Sequence, residues 1–125
     1  MDAKMLQQYK QQSIDTMTQG ELLILLYDEL VKRLTRAELA LNKPDYEIFE
    51  ASVDRSVAII KYLDDTLDRQ YPISGNLTKL YEYFTYELGR VKIGRNMEVL
   101  QHVKSMVDEL RGAFKVAQQN NDSGK

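Results

Sequence analysis

The chain has no cysteine and a single histidine, His102. The first absence excludes a disulfide framework and a thiolate metal site. The second removes the usual members of catalytic triads and the Glu-x-x-His pairs of a di-iron bundle site. Glu98 precedes His102 by four positions rather than three, and His102 reads as a surface or boundary residue. Glycine is sparse, and Gly89 and Gly94 stand isolated in a helical pattern rather than in a phosphate-cradling loop. No apolar run approaches membrane-spanning length, and Met1-Asp2-Ala3-Lys4 lacks a signal-peptide stretch. A cytoplasmic protein without membrane insertion is therefore expected. Charge of one sign is lacking too, since the net value is −2. Lys32, Arg33 and Arg36, and Arg90, Lys92 and Arg95, form small basic patches offset by Asp28, Glu29 and Glu38, which argues against a nucleic-acid partner. The adjacent carboxylates Asp64 and Asp65 read as a solvated helix face. No cofactor, metal or enzymatic activity is expected.

What is present is helical periodicity. At 125 residues the chain is expected to form one domain with a proper core. Thr18-Gln19-Gly20-Glu21 fits a capping box. From Thr18 to Leu41 the apolar residues Leu23, Tyr27, Leu30, Leu34, Ala37 and Leu41 recur in steps of four and three. Asn42-Lys43-Pro44 ends that helix. A second helix, about 45–69, carries Phe49, Val53, Ser56, Ile60, Leu63 and Leu67, and stops at the turn formers Tyr71 to Gly75. A third, from about Asn76, aligns Leu77, Tyr81, Phe84, Leu88 and Val91, with Asn76 expected as its cap. A fourth, about Met97 to Gln119, uses Leu100, Val103, Val107, Leu110, Phe114 and Ala117. Four helices with short connections predict an all-α, antiparallel up-down four-helix bundle over 18–119. A polar N-terminal arm, 1–17, is expected to be mobile or briefly helical, and 120–125 to be a disordered tail.

The pattern leaves an apolar surplus. Leu22-Leu23-Ile24-Leu25-Leu26-Tyr27 is apolar on every side, whereas a bundle helix buries one face. Helix three places Tyr83 and Tyr86 away from its seam, and Tyr62 lies off the seam of helix two, which Ile48 and Ile59 broaden. Tyrosine suits partly wet contact surfaces because its ring is apolar and its hydroxyl polar. An exposed patch of this kind exceeds what a monomer normally carries. It predicts a protein-binding surface that the arm, with Met5, Leu6, Tyr9 and Ile14, covers until a partner displaces it. The competing reading is a homodimer that buries the same surplus.

The same residues resemble the FliS family of flagellin-specific export chaperones. The likeness runs from Tyr9 through Thr16-Met17-Thr18, Glu21-Leu22 and Leu26-Tyr27-Asp28. It continues with Ile60-Lys61-Tyr62-Leu63, Leu67-Asp68, Asn76-Leu77 and Leu80-Tyr81-Glu82-Tyr83, and ends at Leu110-Arg111-Gly112-Ala113-Phe114. Departures are Glu29 where the family often has glycine, Phe114 where it usually has tryptophan, and Val91-Lys92 in place of Ala-Asn. The resemblance implies a cytoplasmic bundle that binds the disordered C-terminal segment of flagellin, prevents its premature polymerisation and delivers it to the flagellar type III export gate. Carried onto this chain, it implies Tyr9, Leu22, Leu25, Tyr62, Leu77, Tyr81 and Tyr83 as partner-binding residues. Tyr27 and Asp28 act in binding or fix the first helix. Leu110, Arg111 and Phe114 are implied to anchor the end of the bundle.

Overall fold

A computed structural model describes residues 17–123. The expected arm, Tyr9 included, falls outside the described residues except for Met17. Four helices follow in order: α1 (Gln19–Asn42), α2 (Tyr46–Asp65), α3 (Ile73–Gly94) and α4 (Met97–Ser123). They close into a ring in which α1 packs on α2 and α4, and α3 on the same two. Polar pairs fix the antiparallel register. Between α1 and α4, Glu38 accepts from Lys104 at 3.0 Å and Asp28 from Arg111 at 3.0 Å. Between α2 and α3, Asp54 accepts from Lys92 at 2.8 Å and Asp64 from the Thr78 hydroxyl at 2.9 Å. This is the bundle predicted by the apolar periods.

Helix starts follow local chemistry. The Thr18 hydroxyl accepts from the Glu21 N–H at 3.1 Å, and Asp45 Oδ1 from the Ile48 N–H at 3.3 Å. Asn96 Oδ1 accepts from the Val99 N–H at 3.1 Å, which caps α4. Helix α3 departs from expectation. It begins at Ile73 with no side-chain cap, and Asn76 lies exposed inside its first turn. Pro72, at φ −56°, already holds a helical torsion and has no N–H to satisfy, so the helix starts directly after the proline. Helix α2 stops earlier than expected, at Asp65, where the Thr66 hydroxyl donates to the Tyr62 carbonyl at 2.9 Å. Helix α4 runs on to Ser123, past the expected end at Gln119.

The core lies along the inner seams: Tyr27, Leu30, Leu34, Phe49, Ile60, Leu63, Phe84, Leu88, Leu100, Val103 and Val107 are all buried. The seam drifts at the helix ends because 3.6 residues per turn does not match a strict heptad. Ala40 is buried while Leu41 is only partly so, and Ala117 is exposed. Arg95 closes α3 in the left-handed region, at φ 51°. Its guanidinium carbon sits 3.5 Å from the centroid of the Tyr46 ring, a cation–π contact that ties this turn to the start of α2.

Candidate protein-binding surface

Among the described residues, apolar clefts open at three places on the bundle. The first lies where the N-terminal turns of α1 meet the last turns of α2. Leu22, Leu23, Leu26, Tyr62, Leu63 and Leu67 line it around a volume of about 340 Å³. The second is a groove between α2 and α3, formed by two depressions of about 360 and 440 Å³ that share Lys61 and Thr85. Ile60, Tyr81, Val53, Val57 and Leu88 contribute apolar lining. The third, about 300 Å³, lies between α3 and α4 over Leu80, Phe84, Met106 and Leu110. The α2–α3 groove exists because small residues face each other across the helix pair. Ala58, Thr85 and Gly89 leave space that larger side chains would fill, and a Cβ built on Gly89 meets nothing within 4 Å.

The residues implied for partner binding divide into two groups. Leu22 lines the first cleft beside Tyr62, which is 49% exposed, and Leu25 is half-buried on the same helix. Tyr83 is 39% exposed, with its ring 6.1 Å from that of Phe84. Tyr27, Leu77 and Tyr81 belong instead to the core, at 0%, 6% and 2% exposure. Their burial leaves little of these three side chains on the surface, and of them only Tyr81 lines a cleft, at the edge of the α2–α3 groove.

The hydroxyls of Tyr27 and Tyr81 meet across the bundle at 2.6 Å. Burial pushes both phenols upward, and in Tyr27 the neighbouring Tyr81 adds to the shift. Each buried polar tip is thereby satisfied by the other. The Phe114 ring packs 5.3 Å from that of Tyr27. Asp28 is held by Arg111 at 3.0 Å and Lys115 at 3.5 Å, so of its two readings the geometry supports fixing α1. Arg111 and Phe114 do anchor that end of the bundle. Asp64 is not the solvated carboxylate expected: it is half-buried and bonds both Thr78 and Arg69.

The groove is not legible in the seam of any single helix. Its signal was the pairing of off-seam apolar residues on α2 with small residues on α3, which no single helix displays. Among the described residues, no group of histidines and carboxylates is placed to hold a metal ion, and no helix is long and apolar enough to cross a membrane.

The fold and its clefts define an all-α four-helix bundle with apolar recesses on its surface. The family model for the flagellar protein FliS matches residues 2–121. A curated relative, the flagellar secretion chaperone FliS of Bacillus subtilis (strain 168), is 30% identical over 112 residues, which cover 90% of this chain and 84% of the relative. A solved structure described as a flagellar chaperone from bacteria superposes with a TM-score of 0.77 at 18% identity, over 96% of this chain and 99% of that one. The chain belongs to the FliS family of flagellar secretion chaperones.

Proposed function

We propose that this protein binds the C-terminal segment of flagellin in the cytoplasm, holds it from polymerising and presents it to the flagellar export gate. The observation that carries this reading is the pair of apolar clefts flanking α2, with Leu22 and Tyr62 at one and the Ile60–Leu88 floor at the other. A disordered segment gains helix and buries its apolar face on docking. Each large side chain so buried contributes roughly 1.5–3 kcal/mol before the cost of ordering the segment. No covalent step and no nucleotide is required: the hold lasts as long as the interface.

Calorimetry against intact flagellin and flagellin lacking its C-terminal segment tests this. The expected outcome is binding with a strongly negative heat-capacity change that disappears on truncation. Gly89→Leu fills the groove from a position with open space above it and is expected to weaken binding at least about tenfold, one order of magnitude in Kd, with the bundle intact. Removing residues 1–16 is expected to tighten binding where the arm competes for the cleft and to weaken it where Tyr9 touches the partner; equal affinity would exclude both roles. Absence of binding to either flagellin, with a mass that rises with concentration, would return the apolar surplus to self-association.

A further inference from the structure

The two halves of the α2–α3 groove meet at Lys61, which lines both. The other charges along this groove are mostly committed. Lys92 is bonded to Asp54 at 2.8 Å, and Asp64 is taken by Thr78 at 2.9 Å and by Arg69 at 3.4 Å. Lys61 differs: among the described residues it makes no ion pair, although Asp64 and Asp65 lie one helical turn away, and Glu82, which lines the same depression, is likewise in none. Lys61 is exposed where it lines the groove, and a lysine so placed lays its alkyl stem on apolar surface and keeps its ammonium in water.

We infer that Lys61 is a specificity-determining residue that selects an acidic side chain on the apolar helix docking in this groove. This rests on the reading of the groove as the seat of flagellin's C-terminal segment. A helix laid along Val53, Val57, Ile60 and Leu88 presents its polar boundary at the rim. A carboxylate there meets the unpaired cation, whereas a lysine or arginine there meets like charge and loses water without a partner. Glu82, on the α3 wall of one depression only, disfavours an acid on that side. The pair of opposite charges therefore also restricts the direction in which the segment lies.

The test is calorimetry of the full chain against intact flagellin over a range of salt. Lys61→Met keeps the stem and removes the charge, Lys61→Glu reverses it, and Lys43→Glu makes the same net-charge change in the exposed α1–α2 turn. Lys61→Met is expected to weaken binding roughly 3- to 10-fold and to flatten its salt dependence. Lys61→Glu is expected to weaken it further, and a single acid-to-lysine change in the flagellin segment is expected to restore it. Lys43→Glu is expected to bind as the unaltered protein does. If the unaltered protein binds and the Lys61 variants match Lys43→Glu at every salt concentration, the inference is overturned while the flagellin reading stands. If the unaltered protein fails to bind, both are overturned.

Discussion

Tyr27 and Tyr81 place two hydroxyls 2.6 Å apart inside the bundle, and neither has water to fall back on. Tyr27→Phe alone leaves the Tyr81 hydroxyl unsatisfied and is expected to cost about 1–3 kcal/mol in denaturant unfolding. Changing both to phenylalanine is expected to recover part of that loss, which a double-mutant cycle measures. Both phenols are raised in the folded state, so the protonated pair stabilises fully below the unfolded tyrosine value of about 10. That contribution is lost as pH climbs above it. Phenolate absorbance should accordingly show two of the eight tyrosines ionising only as the bundle unfolds. Glu38 titrates in the opposite sense. Hydrogen bonds from Gln101 and then Lys104 lower its carboxyl, so its contribution is present above the unfolded value of about 4.3 and disappears as pH falls through the folded value. Glu38→Gln is expected to flatten the acid limb of a stability–pH curve.

At the scale of elements, the seams were readable because each helix exposes its own period: Leu30, Leu34, Phe49, Val53, Leu88 and Val103 are buried where the steps of three and four put them. The start of α1 was readable because Thr18 marks it, and α2 begins beside the expected bound at Asp45, which caps it. The start of α3 was not, because Pro72 acts through a torsion angle and Asn76 only imitates a cap. Asn76→Ala is therefore expected to leave stability within a few tenths of a kcal/mol, whereas Asn96→Ala is expected to cost about 1 kcal/mol in thermal or denaturant melts. The groove was hidden for a different reason. Ala58 on α2 and Gly89 on α3 are unremarkable singly, and they make a recess only once the helices are paired. By contrast, Tyr81 and Tyr83 were separable from the period of α3 alone: Tyr81 falls on its seam and is buried, Tyr83 falls off it and is exposed.

For the whole molecule, the closed ring of four helices separates two tasks. The interior seams and the polar pairs between α1 and α4 hold the bundle, while the outward flanks of α2 carry the clefts. This division predicts that cleft-filling changes such as Gly89→Leu reduce flagellin binding without lowering the melting temperature. Replacing a glycine in a helix interior is in fact expected to raise stability by roughly 0.5–1 kcal/mol. Buried pairs should behave in reverse, lowering stability first and binding only as a result. The antiparallel path also has a practical side. The first turn of α1 lies against Gln118 of α4, close enough that a Cβ on Gly20 would meet that carboxamide. The described chain thus enters and leaves the bundle at one pole, beside the Leu22–Tyr62 cleft. A fluorophore, affinity tag or surface tether joined directly before α1 or after α4 sits at that pole. The Lys43–Pro44 turn at the opposite pole is the attachment point that leaves it clear.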